Sequence, residues 1–309
     1  MDLFDARGAS PMLIARQCEA FDSADYIYEL KMDGFRCLAY LEPGMVDLRN
    51  KRNIKMLEKF PELTKLHQAV RRRCILDGEI VVLTNGVPDF YRLQKRTLLT
   101  DRFKIQMEAS RFPASFVAFD SIYLDGQDLC WEPLIKRKER LSENLKESDR
   151  IAVSRYIEGK GMALYQAAEE RELEGVVAKR KDSLYYPGKR TKDWVKFKRM
   201  TDEEFIAAGY IRKGLHTYSL IIAKYREDVL VYKGHVTSGV TKETVGFLTV
   251  TKKCPLSAVP AGNEHAVWVK PDQVCRIEYM PNTKGALRQP VFRGFRDDIL
   301  PRKVQMENF

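Results

Sequence analysis

The chain has 309 residues, 44% of them hydrophobic, so it is long enough for two domains and apolar enough to bury a core in each. Its net charge is +10, divided as +6 over residues 1–200 and +4 over residues 201–309, and this spread favours a polyanionic partner such as nucleic acid over a merely soluble basic protein. The six cysteines show no Cys-x-x-Cys spacing and the four histidines are scattered, which argues against a disulfide framework and a zinc site. The sequence has no long apolar run, which argues against a signal peptide and a transmembrane helix. We therefore expect a cytoplasmic protein.

Hydrophobic periodicity predicts both strands and helices through the first 200 residues. We interpret the segment 26–50 as two strands joined by a turn. The predicted strands are 26–30, 36–41, 74–83, 114–124, 175–179 and 194–198. The predicted helices are 55–73, 91–100, 136–147 and 162–171. Because the helix 136–147 is rich in charges of both signs, we expect it to be solvated.

Closely spaced short strands characterise the sequence after residue 200. Predicted strands lie at 205–211, 218–225, 229–236, 266–269 and 274–279, with a helix at 242–251. Five short strands and one helix in about 100 residues fit a small Greek-key barrel of the OB type. We therefore predict two domains, 1–200 and 201–309.

A lysine follows directly after the predicted strand 26–30. Lys31 begins the sequence Lys-Met-Asp-Gly, where partial desolvation would favour the neutral amine, which is a nucleophile. Asp33 offers a carboxylate to that amine or to a metal ion, and Gly34 allows a tight turn close to a ligand. The alternative is a surface lysine beside a β-turn.

Four other positions combine chemistry with a predicted strand. Glu79 points either into a cleft or to solvent at a strand edge, and Phe119 is either core or a face on which a purine stacks. Glu174 directly precedes the strand 175–179. Lys196 and Lys198 share one strand face, which suits a phosphate-binding wall or a solvated surface.

These segments occur in a fixed order that resembles a known superfamily. The stretches 31–34, 76–79, 117–126, 174–177 and 194–198 are similar to motifs I, III, IIIa, IV and V of the covalent nucleotidyltransferases, which comprise DNA ligases, RNA ligases and mRNA capping enzymes. Similarity to the bacterial ATP-dependent end-joining ligases of the ligase D type extends to 181–188, 268–271 and 287–298. The resemblance implies an α+β adenylation domain of packed antiparallel sheets with flanking helices, followed by an OB-fold barrel.

The resemblance implies a reaction with ATP. Lys31 would attack the α-phosphate and form a lysyl-AMP, while Lys196 and Lys198 would bind the phosphate as charge develops. Glu174, with help from Asp33, would hold Mg²⁺ or Mn²⁺. AMP would then pass to the 5′-phosphate of a DNA nick, and the 3′-hydroxyl would displace it.

The same resemblance assigns the nucleoside contacts. Glu79 would hydrogen-bond to the ribose, Phe119 would stack on the purine, and Leu30 would line the nucleotide site. Arg36 would contact the ribose or the nick phosphate. Glu29 occupies the base-specificity position, where a carboxylate accepts from the adenine amine and repels the guanine carbonyl oxygen, so ATP is favoured over GTP.

Contacts to DNA and to the leaving group are assigned to Arg190, Arg296 and Asp298. The last family motif is usually Arg-x-Asp-Lys, and here Arg296-Asp297-Asp298-Ile299 lacks the lysine, although Lys303 lies near it in sequence. Two domains alone would encircle DNA only partly, so we expect salt-sensitive phosphate contacts, a monomer, and a DNA-end-binding partner such as bacterial Ku.

Two alternatives to a DNA ligase for repair or end joining stay open at this point. One is an RNA ligase or a GTP-dependent capping-type guanylyltransferase. The other is a catalytically inactive nucleic-acid-binding module that kept the fold. Retention of Lys31, Glu79, Glu174, Lys196 and Lys198 argues against the inactive module.

Overall fold

A computed structural model describes residues 2–198, 200–280 and 287–306. The chain forms two compact units, residues 1–198 and residues 199–309. Both units combine β-sheets with helices, which is the mixed class predicted from the sequence. Within the described ranges, no helix is both long and apolar enough to cross a membrane.

In the described part of the first unit, the strands are β1 (Leu13–Gln17), β2 (Tyr26–Leu30), β3 (Phe35–Glu42), β4 (Met45–Asn50), β5 (Cys74–Thr84), β6 (Val87–Pro88), β7 (Ala114–Leu124), β8 (Gln127–Asp128), β9 (Ile151–Val153), β10 (Tyr156–Glu158), β11 (Gly175–Arg180) and β12 (Arg190–Lys198). The helices are α1 (Leu3–Ala6), α2 (Phe90–Leu98), α3 (Arg102–Arg111), α4 (Leu134–Asn144) and α5 (Gly161–Glu170).

The strands of the first unit form two sheets. One has the order β1-β12-β11-β2-β10, and the other has the order β4-β3-β5-β7-β8, with β6 on β5 and β9 on β7. The two sheets face each other through a shared core that includes Ile27 and Trp194 from the first and Leu38, Ile75 and Phe119 from the second. The two strands predicted within 26–50 are present as β2 and β3, and they belong to different sheets.

The β1-β12-β11-β2-β10 sheet has two distinct faces. On one face Tyr28, Val176 and Phe197 pack with Ala168 of α5 in an apolar cluster. Successive side chains of a strand point to opposite faces. The opposite face therefore carries the residues between these, among them the charged residues predicted to form the site.

The predicted helix 55–73 is wrong. That segment forms three short 3₁₀ turns, Leu57–Lys59, Pro61–Leu63 and Leu66–Ala69. Pro61 lacks an N–H and disfavours the helical conformation at the residue before it, so a continuous helix is interrupted there. The buried side chains of this segment pack instead into the core of the larger sheet.

The helix predicted at 136–147 exists as α4, but only one of its faces is solvated. Arg137 and Lys138 are buried along with Leu134, Leu141 and Asn144. Arg137 pairs with Asp120 at 2.8 Å, and both side chains are inaccessible to solvent. Charged side chains are tolerated there because each finds a partner.

The second unit, in its described residues, is a six-stranded antiparallel sheet with one short α-helix and a 3₁₀ turn at Pro301–Lys303. Its strands are β13 (Thr201–Arg212), β14 (Tyr218–Arg226), β15 (Val229–Val236), β16 (Val267–Trp268), β17 (Val274–Met280) and β18 (Arg288–Arg296), and its helix is α6 (Lys242–Gly246). The strand order is β15-β14-β13-β17-β18, with β16 on β13. Apolar clusters cover both faces of the sheet. Helix α6 ends five residues before the predicted end at residue 251.

Candidate active site

Strand register brings Lys31 and Lys198 to neighbouring positions. Gly175 of β11 pairs with Lys198 of β12, and its carbonyl oxygen accepts a hydrogen bond of 2.9 Å from the Lys31 amide at the end of β2. Gly175 has a φ of +137°, and a Cβ atom there would lie 2.0 Å from the Phe197 carbonyl oxygen. Only glycine permits this close approach of the strands.

Glu174 links the two lysines. Its Oε2 lies 2.7 Å from Nζ of Lys31, and its Oε1 lies 3.2 Å from Nζ of Lys198. Burial lowers the pKa of Lys198, Glu174 opposes that shift, and the charge of Lys31 adds to it. We call these three side chains the Lys31 cluster. Its outer member is Lys31, whose side chain is 22% exposed, against 4% for Glu174.

Lys196 belongs to the same surface. It pairs across the sheet with Val177, which pairs in turn with Glu29, so it lies two residues from Lys198 on the same face. Burial lowers the pKa of Lys196, and the charges of Lys198 and Lys31 lower it further. Several ammonium groups close together favour an anionic ligand at this end of the sheet.

Asp33 lies in the connection between β2 and β3, two residues after Lys31, and is partly buried. A Cβ atom at Gly34 would lie 2.2 Å from the carbonyl oxygen of Ile80, so the turn runs directly against β5. Across the described ranges, no group of three or more His, Cys, Asp or Glu side chains is arranged to hold a metal ion. A metal that also bound ligand phosphates would need fewer protein ligands.

A second carboxylate with two lysines lies farther along the same sheet face. Glu29 is paired with Nζ of Lys138 at 2.7 Å and with Nζ of Lys179 at 3.1 Å. Burial raises the pKa of Glu29, but the two ammonium groups outweigh burial and hold it below its ordinary value. Burial lowers the pKa of Lys179 to about 8, against the pull of Glu29. We call Glu29, Lys138 and Lys179 the Glu29 cluster.

Leu30 does not join these clusters through its side chain. It lies between Glu29 and Lys31 on β2, and its side chain packs on the opposite face with the apolar residues beside α5. Strand alternation requires this, because neighbouring residues point to opposite faces.

Phe119 is buried and lies beside two cations. The guanidinium carbon of Arg36 is 4.3 Å from the ring centroid, and Nζ of Lys179 is also 4.3 Å from it. Arg36 is itself held by Asp77 through two hydrogen bonds of 2.6 Å, and the Tyr185 hydroxyl donates to the same carboxylate. The structure therefore gives Arg36 a fixed partner that the sequence prediction did not include.

Glu79 lies opposite Arg36 in the pairing of β5 with β3. Burial raises the pKa of Glu79 to about 7, while Arg36 and Lys31 oppose the shift. A carboxyl group with this pKa is partly protonated near neutrality, so it can donate as well as accept a hydrogen bond.

Three further residues were predicted from the sequence, namely Arg190, Arg296 and Asp298. Arg190 is exposed at the start of β12 and donates a 2.7 Å hydrogen bond to the Ile14 carbonyl oxygen. Arg296 and Asp298 belong to the second unit, where the guanidinium contacts both carboxylate oxygens at 2.7 and 2.6 Å. The hydrogen bond from Arg296 lowers the pKa of Asp298 to about 2.

Sequence reasoning missed Lys138, Lys179 and Asp77. Lys138 follows Leu134 by four residues and precedes Leu141 by three, so it lies on the buried face of α4. That spacing was the available signal, and the high charge of the helix concealed it. For Asp77 the signal was its place inside the long apolar strand β5, where a buried carboxylate requires a partner.

Comparison with known protein families gives two matches. Residues 9–198 match the family described as the ATP dependent DNA ligase domain, which alone covers more than half of the chain. Residues 213–299 match the ATP dependent DNA ligase C terminal region.

Curated relatives include proteins of different lengths. The chain is 34% identical over 303 residues to the multifunctional non-homologous end joining protein LigD of Pseudomonas aeruginosa, an alignment that covers 92% of this chain and 35% of that protein. It is 29% identical over 289 residues to the SPbeta prophage-derived DNA ligase-like protein LigB of Bacillus subtilis, covering 93% of this chain and 98% of that protein. The chain thus spans about a third of the first relative.

Solved structures show the same similarity. The crystal structure of the ligase domain from M. tuberculosis LigD aligns with 99% of this chain and over 100% of its own length, with 27% sequence identity and a TM-score of 0.57. Mycobacterial DNA ligase D complexed with ATP and MES has the same coverage, with 28% identity and a TM-score of 0.58. These similarities confirm the predicted fold class, including the OB-type region at the C-terminal end.

Proposed function

This chain belongs to the ATP-dependent DNA ligase family, and we propose that it seals nicks or joined ends in duplex DNA through an AMP bonded to Lys31. Membership implies ATP as the nucleotide and a covalent AMP intermediate. The similarities favour a DNA ligase over the RNA ligase and capping-type alternatives. The observation that carries the proposal is the Lys31 cluster, where the partly exposed amine of Lys31 lies beside the Glu174 carboxylate, which also contacts the buried Lys198.

In the first step the Nζ atom of Lys31 attacks the α-phosphorus of ATP. A nitrogen–phosphorus bond forms, the bond to the pyrophosphate oxygen breaks, and the amine loses a proton. The contact of 2.7 Å between Nζ and Glu174 supports that carboxylate as the proton acceptor. Lys198 and Lys196 then stabilise the negative charge that develops on the phosphate oxygens.

Two further steps complete the reaction. The 5′-phosphate of a nick attacks the phosphorus of the lysyl-AMP, which releases the Lys31 amine and forms a DNA-adenylate. The 3′-hydroxyl then attacks the 5′-phosphorus and expels AMP, so that the strand is sealed. Arg190, exposed on the strand that carries Lys196 and Lys198, suits a contact to the DNA backbone. For Arg296 and Asp298 we propose contacts to the pyrophosphate leaving group.

A divalent metal ion fits the donor chemistry of the site. Glu174 and Asp33 supply hard carboxylate oxygens, and Mg²⁺ is typically held by one or two carboxylates together with substrate phosphates. When bound, such an ion would neutralise charge on the phosphates. In the structure the Glu174 carboxylate is paired with the ammonium groups of Lys31 and Lys198, so a bound metal ion would take the place of one of these partners.

The nucleoside would lie along the same sheet face toward the Glu29 cluster. We propose that Glu29 accepts a hydrogen bond from the exocyclic amine of adenine, that Phe119 packs against the purine, and that Glu79 hydrogen-bonds to the ribose. The raised pKa of Glu79 supports a group that can donate to a hydroxyl as well as accept from it. Entry of a purine against Phe119 requires Arg36 to move from its place over the ring.

We place the reaction in the joining of DNA breaks in the cytoplasm, by a monomer assisted by an end-binding partner such as bacterial Ku. The similarity to the Pseudomonas relative, a multifunctional non-homologous end joining protein, supports this pathway. We expect Ku to increase the rate at which this chain joins linear duplexes. An unchanged joining rate at saturating Ku would rule out Ku as a partner, without contradicting the proposal that this chain seals nicks.

The test of the proposed function is covalent labelling. The protein, treated first with pyrophosphate to remove any bound AMP, is incubated with α-labelled ATP or GTP and Mg²⁺ and analysed on a denaturing gel. We expect an acid-labile label from ATP in the wild type and in Lys65→Ala, which changes an exposed lysine, and no label in Lys31→Ala. Label from GTP alone would indicate a capping-type enzyme, and no label from either nucleotide would indicate an inactive module.

A further inference from the structure

Lys138 occupies a position that the proposed reaction does not explain. Its side chain is 3% exposed, although it belongs to a helix whose sequence is rich in charge. Its ammonium group contacts Oε1 of Glu29 at 2.7 Å, the Phe119 carbonyl oxygen at 3.3 Å and the Ser154 carbonyl oxygen at 3.4 Å. An ammonium group has three donors, and all of them are therefore satisfied.

These three contacts join parts of the fold that come from different sheets. Glu29 belongs to β2 of one sheet, and Phe119 belongs to β7 of the other. Lys138 reaches both from α4, which packs against β7. One side chain thus fixes the Glu29 carboxylate relative to the backbone that carries the Phe119 ring.

The hydrogen bonds to Glu29 occupy part of its acceptor capacity. The carboxylate accepts from Lys138 and from Lys179. An ionised carboxylate has about four acceptor positions, so a position is left for a ligand. The two ammonium groups also keep Glu29 ionised, which makes it an acceptor and not a donor.

We propose that Lys138 is a positioning residue for purine specificity. It holds the Glu29 carboxylate so that its remaining acceptor position meets the exocyclic amine of a purine packed against Phe119. This inference rests on the proposed function, because it requires that Glu29 and Phe119 contact the adenine of ATP. Lys138 itself touches neither the base nor the reacting atoms.

A purely structural role for Lys138 predicts a different outcome. Loss of a buried cation that only stabilised the fold would reduce adenylation with every nucleotide by the same factor. Loss of a positioning residue reduces the reaction with ATP more than the reaction with a nucleotide that lacks the amine. The ratio of the two rates therefore distinguishes the two roles, whereas a melting temperature does not.

Lys138→Met is expected to fold, because the Glu29 cluster then holds one carboxylate and one lysine in a neutral pair. The matched control is Lys136→Met, which changes an exposed lysine on the same helix that pairs with Glu139. Lys138→Gln is a second variant, which keeps a donor but has a shorter reach. Folding of each variant is checked by circular dichroism.

The experiment measures single-turnover adenylation with ATP and with purine riboside triphosphate, which lacks the exocyclic amine. For the wild type and Lys136→Met we expect kcat/KM to favour ATP on the order of tenfold to a hundredfold, as for a hydrogen bond to a charged acceptor. In Lys138→Met we expect kcat/KM for ATP to fall, so that it exceeds kcat/KM for the analogue by about threefold at most. Lys138→Gln is expected to fall between these values.

An unchanged ATP-to-analogue ratio in a folded Lys138 variant overturns the inference. A wild type that does not discriminate between the two nucleotides overturns it as well. These results are distinguishable from failure of the proposed function, because a protein that is not an ATP-dependent ligase forms no covalent AMP in the wild type. A wild type that is labelled by ATP while the ratio stays fixed leaves the ligase assignment standing and removes only the role of Lys138.

Discussion

Two clusters on one sheet face have the same composition and different surroundings. Each combines one glutamate with two lysines: Glu174 with Lys31 and Lys198, and Glu29 with Lys138 and Lys179. In the Lys31 cluster the side chain of Lys31 is 22% exposed, whereas all side chains of the Glu29 cluster are 3% exposed. The same three groups can therefore serve an exchangeable site or a fixed one, according to solvent access.

The physical reason lies in the cost of changing partners. A buried ion pair has lost its hydration, so removal of one partner leaves an uncompensated charge that costs several kcal/mol. The Glu29 cluster is thus held in one arrangement, which suits recognition of a base. A lysine that reaches solvent loses less when its partner changes, which suits an amine that must leave Glu174 to attack a phosphate.

The largest effect is expected from Glu174→Gln. The amide removes the proton acceptor and one charge from the Lys31 cluster, so we expect adenylation with ATP to fall by about 10²-fold or more. Single-turnover labelling with α-labelled ATP measures this loss. Glu172→Gln, two residues away and exposed, is the control that should keep wild-type activity. Equal rates for Glu174→Gln and the wild type would contradict the role of this cluster.

The Glu29 cluster is tested by Glu29→Gln. An amide presents both a donor and an acceptor, so adenine is no longer favoured over guanine at this position. We expect the kcat/KM ratio of ATP to GTP to fall by roughly tenfold to a hundredfold. If the nucleotide preference stays as in the wild type, Glu29 does not contact the base.

A pH-dependent effect on stability is expected from Glu79→Gln. The folded protein holds the pKa of Glu79 at about 7, above its ordinary value of 4.5, so the folded state binds more protons between these values. The contribution of Glu79 to stability is therefore fully present below about pH 4.5 and is lost as the pH rises through 7.

Glutamine cannot ionise, so the variant does not lose this contribution. As the pH rises from 5 to 8, the free energy of unfolding of Glu79→Gln should therefore increase relative to that of the wild type, by about 1–3 kcal/mol. Urea unfolding at both pH values measures the difference. The exposed Glu169→Gln on α5 should show no such change. A constant difference between wild type and Glu79→Gln would show that the carboxyl titrates normally in the folded protein.

The smallest effect is expected from Arg190→Gln, since this residue lies outside both clusters and is exposed. Loss of one phosphate contact should weaken binding to nicked DNA several-fold and reduce the slope of log K against log salt by about 1. Fluorescence anisotropy at several salt concentrations gives both values. An unchanged slope would place Arg190 outside the DNA interface.

The sequence predicts the chemistry of the Lys31 cluster better than that of the Glu29 cluster. Short strands and their alternation were sufficient to place Lys196 and Lys198 on one face, and register then brings Lys31 beside them. Lys138 could not be assigned from local pattern, because its partners Glu29 and Phe119 lie far from it in the chain and in two different sheets.

Local signals also failed where tertiary packing decides the structure. Proline interrupts the segment 55–73, yet its apolar spacing resembled that of a helix. Helix α3 was not predicted, since its exposed Phe103 and Met107 disturb the usual separation of polar and apolar faces. Strand β18 mixes arginines, a proline and glycine with its apolar residues, and its pairing with β17 could not be seen in the sequence.

The most direct test of the central claim is to locate the nucleotide on the chain. The protein is adenylated with ATP and Mg²⁺, digested, and analysed by mass spectrometry under conditions that preserve the phosphoramidate bond. AMP on the peptide that contains Lys31, and on no peptide that contains Lys196 or Lys198, is the result we predict. AMP on either of those two lysines, with Lys31 unmodified, would contradict the proposed role of Lys31 as the nucleophile.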